Sequence, residues 1–337
     1  MLWAEHVAKN TARARDDVFN EVKRHFTDAE FVELTGICGT FAANNRFQDS
    51  LKLPLEPQTE IDKIKHSIHA DPARIRAYIE HIVRAWPEDF PIAREDAAAA
   101  STETNGGSSD LPAFVRDNRP PRLVLLDPHT AQGETARYFD FAQQLLGTVP
   151  NAVRIWAHSP YIQKLFLPFK VTLEREGAGS ILGTRLKTLV RVRTSHVNRA
   201  PYSLAHGMAF GRAAGVPDDQ LAALGSGEAS SSPYFSPRER AALQWAEQVV
   251  PNTAKRRDDV FSTLKAHFDD AQIIELTGLC AVSNMVDLIQ NALRVPLESA
   301  AEIAAMNREV RLDPQRVKRY LERLLENWPG EFPVPAD

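Results

Sequence analysis

The sequence predicts an all-α protein, and three observations support this prediction. Apolar residues recur at helical spacing, as at Leu34, Ile37 and Cys38, which stand at i, i+3 and i+4. Helix start signals precede such stretches, and Thr27 with Glu30 forms one of them, a capping box. No stretch shows the sustained two-residue alternation that is typical of a half-buried strand.

The first segment, residues 3–92, is predicted to form about four helices. Its first apolar stripe continues to Phe41, and a second one follows Asp71-Pro72, an N-cap with a proline at the first helical position. The second stripe consists of apolar side chains three or four residues apart: Ile75, Tyr78, Ile79, Ile82 and Val83. We expect both stripes to face a core, because an amphipathic helix buries its apolar side.

Residues 93–113 are predicted to form a flexible linker. The stretch AREDAAAASTETNGGSSDLP is rich in Ala, Ser, Thr and Gly, and it has almost no bulky apolar residue that could anchor it. A different unit begins after it, at about residue 114.

This next unit is predicted to contain four helices before a polar loop. The first helix carries an apolar face made of Tyr138, Phe139, Phe141, Leu145 and Leu146. A second helix is expected over about 152–169, and GTRLKTLVRVRTSHV and APYSLAHGMAFGRAAGV predict two more. The loop 225–234 then leads to Ser236-Pro237 with Glu239, which form a further capping box.

Residues 245–334 repeat residues 3–92 without a gap, at an offset of 242. Of the 90 aligned positions, 38 are identical. The second copy keeps both apolar stripes, as Leu276, Leu279 and Cys280, and then Val317, Tyr320, Leu321, Leu324 and Leu325. We therefore predict a half-unit at 1–92 and a complete domain at 114–337, whose C-terminal half is the second copy.

Composition limits the kinds of partner and the cellular location that we expect for this chain. The net charge is -4 and Lys and Arg are spread along the chain, so we do not expect nucleic acid as a partner. No apolar run approaches the roughly 18 residues that span a bilayer, which predicts a cytoplasmic protein without a membrane partner. Cys38 and Cys280 occupy equivalent apolar positions, so we interpret them as core residues. No metal-ligand spacing or phosphate-binding loop is present, so we predict neither a metal nor a cofactor.

Four ordered stretches between residues 120 and 298 carry a resemblance to a known family. They are LDPHTAQGETARYFDFAQQLLGTVPNAVRIWAHSP, GTRLKTLVRVRTSHVNRAPYSLAHGMAFGRAAGV, FSPRERAALQWAEQV and FDDAQIIELTGLCAVSNMVDLIQNALRVPLE. This order resembles the carboxymuconolactone decarboxylase and alkylhydroperoxidase D superfamily, and the first copy resembles the second half of the pattern. Asn45-Arg46 fits an Asn-Arg pair of the family, whereas Asp287-Leu288 replaces it in the second copy.

The resemblance implies an all-α helical bundle of the alkylhydroperoxidase D type, often assembled as trimers or hexamers. We therefore expect a homo-oligomer, in which the first copy docks where the tail of a neighbouring subunit sits. The peroxidase branch of the family uses Cys-x-x-Cys-x-x-x-His on one helix with a Glu one helix earlier. Here Ala200 and Ser203 stand at the cysteine positions, Gly207 at the histidine and Thr188 at the glutamate.

Acid and base groups occupy the same stretch, and the decarboxylase branch of the family relies on such groups. Tyr202 and His206 are four residues apart, so on a helix they share a face and could act as the catalytic acid and base. Three arginines are close by in the sequence: Arg191, Arg193 and Arg199. They could hold a carboxylate, because a guanidinium group binds a carboxylate bidentately. The predicted substrate-binding residues are Arg193, Arg199, His196 and Ser203.

Three functions remain open on the sequence. The first is a cofactor-free lyase that acts by acid and base chemistry on a small lactone or carboxylate. The second is a non-catalytic assembly or binding member of the family, in which Tyr202 and His206 are packing residues with satisfied polar tips. The third is a peroxidase, which is disfavoured because the motif cysteines are absent.

Overall fold

The computed structural model describes residues 2–64, 71–91, 93, 111–117 and 119–332. These residues form 16 α-helices and no β-strand, which confirms the all-α prediction. The first copy contains α1 (Leu2–Ala8), α2 (Asp16–Lys23), α3 (Asp28–Ser50), α4 (Gln58–Ile64) and α5 (Pro72–Arg84). Most of the predicted linker, 94–110, lies outside the described residues.

Residues 114–236, here called the head unit, contain the next six helices. They are α6 (Gly133–Leu146), α7 (Asn151–Trp156), α8 (Pro160–Glu174), α9 (Thr184–Val197), α10 (Pro201–Ala213) and α11 (Asp218–Ala223). The single helix predicted over 152–169 is in fact α7 followed by α8. The helices are separate because Pro160 starts a new helix, where its missing N–H costs nothing.

The second copy follows the head unit with five helices. They are α12 (Pro237–Val249), α13 (Asp258–Lys265), α14 (Asp270–Leu293), α15 (Ala300–Met306) and α16 (Pro314–Glu326). Helices α13, α15 and α16 start and end 242 residues after α2, α4 and α5. Equivalent start signals account for the agreement of α5 and α16, because the side chains of Asp71 and Asp313 each accept from a helix N–H group. Thr27 and Ser236 form the predicted capping boxes of α3 and α12.

The two copies also share a buried internal hydrogen bond. The Trp3 indole donates to the Thr35 hydroxyl at 3.0 Å, and the Trp245 indole donates to the Thr277 hydroxyl at 3.0 Å. Both indoles are buried, so each needs such an acceptor. The repeated sequence thus forms the same local packing twice.

Helix α3 packs along α14, so that the two copies contact each other. Asn291 donates through Nδ2 to Oδ1 of Asn10 at 3.0 Å, and Asn252 donates through Nδ2 to Oδ2 of Asp49 at 2.9 Å. At the offset of 242, Asn10 is equivalent to Asn252 and Asp49 is equivalent to Asn291. The two bonds therefore join the same two positions of the repeat, with the copies exchanged. Such reciprocity is the property of a two-fold interface.

The head unit contacts both copies, as where the Ser159 hydroxyl donates to Glu33, but its helix α9 covers only the second copy. Helix α9 packs on α12 and α14, where Leu279 and Cys280 are fully buried. In the first copy, Ile37 is 55% exposed and Phe41 63% exposed. The prediction that these residues face a core is wrong, as it is for Tyr78, because the described helices leave this side of the first copy open to solvent.

Helix α14 is long and apolar enough to cross a bilayer, by length and composition only. The sequence reading that no run approaches this length is therefore wrong. Its most apolar stretch is 72% buried among the other helices. Such burial is typical of the core helix of a globular domain, whose apolar residues point in all directions.

Candidate active site

One cavity lies between the head unit and the second copy, and its volume is about 130 Å³. A cavity of roughly 150 Å³ holds a benzene molecule, so a compact single-ring compound is near the limit of what fits without rearrangement. Helices α8, α9, α10 and α14 provide most of the wall. Its apolar part includes Leu146, Val153, Trp156, Leu167, Val171 and Val286.

Tyr202 and His206 line this cavity together, on one face of α10. Their rings stack with centroids 4.4 Å apart. The Tyr202 hydroxyl donates to Oε1 of Glu298 at 2.9 Å, and Nε2 of His206 lies 2.9 Å from Oε2 of the same carboxylate. Nδ2 of Asn307 lies 3.0 Å from Nδ1 of His206 and can donate to it. Both ring nitrogens of His206 therefore have protein partners.

Glu298 is an ionised carboxylate at the centre of this hydrogen-bond network. Burial opposes its ionisation, but the hydrogen bonds from His206 and from the Asn151 N–H outweigh burial and lower the pKa of Glu298. Burial and the nearby Glu298 charge raise the pKa of Tyr202 well above its ordinary value. Tyr202 thus stays a neutral donor.

Asp287 of α14 is a second carboxyl group in the cavity wall, and it is only 1% exposed. Its oxygens accept from the Ser195 hydroxyl at 3.3 Å and from Nδ2 of Asn198 at 3.0 Å. Burial raises the pKa of Asp287 to about 7, against the opposing effect of the hydrogen bonds from Asn198 and Ser195. This carboxyl group can therefore gain or lose a proton near neutral pH.

No site role was predicted for Asp287. The only sequence signal was its substitution for the Asn of the family's Asn-Arg pair. Its counterpart in the first copy, Asn45, is exposed. Ser203, which was predicted, does line the cavity and donates to Oε1 of Gln290 on α14.

A cluster of charged side chains from α8 and α9 forms another part of the wall. Nζ of Lys170 lies 2.8 Å from Oε2 of Glu174, and Nη2 of Arg191 lies 3.3 Å from Oε1 of Glu174. Burial works against the charge of Glu174, but Arg191 and Lys170 outweigh it and lower its pKa. Arg175 completes the cluster.

Three of the predicted substrate-binding residues lie outside the cavity. Arg193 is bound by Glu247 and by backbone carbonyl groups, and exposed Arg199 stacks over the Phe114 ring. Burial, with the charge of Arg193, lowers the pKa of His196 to about 4, so this side chain is neutral. Helix geometry explains why Arg193 and His196 do not line this cavity: Arg191 and Ser195 share the cavity face of α9, and positions 193 and 196 point elsewhere. The substrate-binding role of the three residues stays a prediction.

Neither cysteine lines the cavity. Cys280 is fully buried and Cys38 is half-buried, and burial raises the pKa of both thiols. Among the residues that the structure describes, no three His, Cys, Asp or Glu side chains form a group that could hold a metal ion.

Comparison with known proteins matches this region to one family. Residues 170–248 match the carboxymuconolactone decarboxylase family. The uncharacterized protein YnjA of Escherichia coli K12 is 31% identical over 161 residues, which are 47% of this chain and 84% of the relative.

Two solved structures are also similar. One is an alkylhydroperoxidase AhpD core, an uncharacterized peroxidase-related protein from Ralstonia eutropha JMP134, with 19% identity and a TM-score of 0.46 over 57% of this chain and 100% of that one. The other is an uncharacterized peroxidase-related protein from Silicibacter sp. TM1040, with 23% identity and a TM-score of 0.47 over 56% of this chain and 95% of that one.

Proposed function

The chain belongs to the carboxymuconolactone decarboxylase family, and we propose that it is a cofactor-free lyase that transfers a proton on a small carboxylate or lactone. The observation that supports this proposal is the content of one cavity. The same small space is lined by a carboxyl group that exchanges its proton near neutral pH, by the Tyr202 and His206 members of the Tyr-His-Glu network, and by a cationic cluster. Titratable groups with separate environments in one pocket are typical of acid and base catalysis.

In the proposed reaction, Asp287 is the group that transfers the proton. The bond between the substrate and its carboxylate breaks, carbon dioxide leaves, and the electron pair moves onto a carbonyl group conjugated with that carbon. The protonated Asp287 then donates its proton to the carbon, and it takes a new proton from water. The net change is the uptake of one proton and the release of one carbon dioxide.

Tyr202 and His206, the pair predicted from the sequence, are assigned a positioning role in this proposal. Both nitrogens of His206 have protein partners, so the imidazole would have to give up a hydrogen bond before it reached a substrate. Through Glu298, the pair joins α10 to the segment before α15 and thus sets the shape of that side of the cavity.

The test is proton transfer from solvent, followed by NMR in D2O on a panel of small lactones and carboxylates. We expect deuterium in the product of at least one compound. Asp287→Asn removes the exchangeable proton and should slow this incorporation by about 10² to 10⁴, the usual contribution of a general acid. His206→Asn should slow it less.

Two results would overturn parts of this proposal. A His206→Asn variant that loses more activity than Asp287→Asn would return the catalytic role to His206. A panel in which compounds bind but none reacts would favour the non-catalytic binding member of the family.

A further inference from the structure

We propose that Arg175 and Arg191 form a subsite that binds the carboxylate group of a small, mainly apolar ligand. The identification of that ligand as a substrate rests on the proposed function, but its binding does not. The sequence pattern pointed to Arg191 as one of three arginines that could hold a carboxylate, but it gave no role to Arg175 and did not place the two side chains in one cavity.

The main support for this subsite is that Arg175 is buried in the cavity wall without an ion-pair partner in the part of the chain that the structure describes. Arg175 is 9% exposed, it lines the cavity, and no carboxylate among the described residues forms an ion pair with it. Its Nη1 atom is buried without a hydrogen-bond partner. A buried donor of this kind is costly, more so when it carries a charge, and an anion in the cavity would satisfy it.

Arg191 contacts the same aromatic ring as Arg175. The central guanidinium carbon of each arginine is 5.6 Å from the Phe210 centroid. The Phe210 ring thus limits the movement of both guanidinium groups. The two side chains therefore lose less conformational entropy when they bind a ligand. Paired planar guanidinium groups suit the two oxygens of a carboxylate.

The local charge also favours an anion. Lys170, Arg175 and Arg191 carry three positive charges, and Glu174 is the only carboxylate that forms ion pairs within this cluster in the described chain. Glu309, farther out, is paired with Arg316. Glu298, bonded to Tyr202 and His206, and Asp287, when it has lost its proton, add negative charge elsewhere around the cavity. The excess of positive charge therefore lies in the part of the wall that Lys170, Arg175 and Arg191 form.

The rest of the cavity indicates the body of the ligand. Leu146, Val153 and Trp156 line the same space, whose volume of about 130 Å³ is that of a compact ring or short chain. An apolar body with one carboxylate matches this lining better than a phosphate does, because phosphate has no apolar part to bury.

The experiment measures binding by calorimetry and thermal shift with acetate, benzoate, benzamide and inorganic phosphate as probes. We expect the folded full-length chain to bind at least one of the two carboxylates, and benzamide, the neutral analogue of benzoate, to bind more weakly than benzoate. Arg175→Gln and Arg191→Gln should each weaken carboxylate binding about 10-fold or more, the effect of losing a charge-assisted hydrogen bond. The matched control is Arg212→Gln, an exposed arginine of α10 outside the cavity, which should leave binding unchanged.

Circular dichroism establishes whether each variant is folded. If Arg175→Gln does not fold, Arg191→Gln provides the test of the subsite. Failure of both carboxylates to bind, unchanged binding in the folded variants, or tighter binding of phosphate than of either carboxylate would overturn the subsite. Turnover in the D2O assay without carboxylate binding would overturn the subsite alone. Carboxylate binding without turnover would instead overturn the proposed lyase.

Discussion

The two copies of the repeat have similar helices but different surroundings, and this difference accounts for the location of the site. Helix α14 is covered by α9, so that Asp287 lies in a closed wall with hydrogen-bond donors around it. The equivalent face of α3 is open, and Asn45 and Phe41 contact solvent there. Asp287 has a raised pKa because the head unit and α14 bury it, whereas position 45 has no such cover.

The largest difference between the copies should appear in the cost of removing an apolar side chain. Leu279→Ala removes a fully buried side chain beneath α9, and we expect it to lower the free energy of unfolding by about 2–5 kcal/mol. Ile37→Ala, at the equivalent position, removes a side chain that is 55% exposed and should cost less than about 1 kcal/mol. Urea unfolding measures both values.

A loss of more than about 2 kcal/mol in Ile37→Ala would contradict an open face on α3. That result would instead agree with the proposed homo-oligomer, in which another subunit covers this face. Dependence of the loss on protein concentration would identify a second copy as the cover, because subunit association contributes to stability by mass action.

The next difference concerns pH. The pKa of Asp287 is about 7 in the folded chain and near 4 when unfolded, so between these values the folded state holds a proton that the unfolded state has released. The contribution of Asp287 to stability is therefore present below pH 4 and is lost as the pH rises to 7. Relative to Asp287→Asn, the wild-type chain should lose stability on the order of a few kcal/mol over this range.

Urea unfolding at several pH values, with the difference taken between the two proteins, measures this loss. Asn45→Asp is the matched control, because a carboxyl group on the exposed face of α3 should add no such slope. A difference between wild type and Asp287→Asn that stays constant with pH would contradict the raised pKa.

The smallest difference is expected where the copies have the same packing. Thr35→Val and Thr277→Val each remove the acceptor of a buried indole N–H and should each cost about 1–3 kcal/mol. The two losses in urea should agree within about 0.5 kcal/mol. A large loss in one variant alone would show that the two Trp-Thr pairs are not equivalent.

Local features of the fold were predictable because the residues that determine them are close in sequence. Thr27 with Glu30 and Ser236 with Glu239 cap their helices wherever those helices pack. Tyr202 and His206 share a face of α10 for the same reason. Periodicity therefore identified helices and the residues that lie side by side on them.

Burial and the composition of the cavity were not predictable, because they depend on contacts between distant segments. Phe41 belongs to a helical stripe in the sequence, and only the missing cover makes it exposed. Asp287 and Arg175 come to one cavity from helices more than a hundred residues apart. Because successive residues of helix α9 point in different directions, Arg191 lines the cavity whereas Arg193 points away from it and binds Glu247.

The reciprocal bonds of Asn10 with Asn291 and of Asn252 with Asp49 join two halves that are encoded separately. In a homodimer, every substitution appears on both sides of such an interface at once. Here the partners are tethered in one chain, so they cannot be diluted apart, and each can change without the other. The second copy can therefore carry a buried carboxyl group at Asp287 while the equivalent position in the first copy is the amide Asn45, and the interface between the copies is kept.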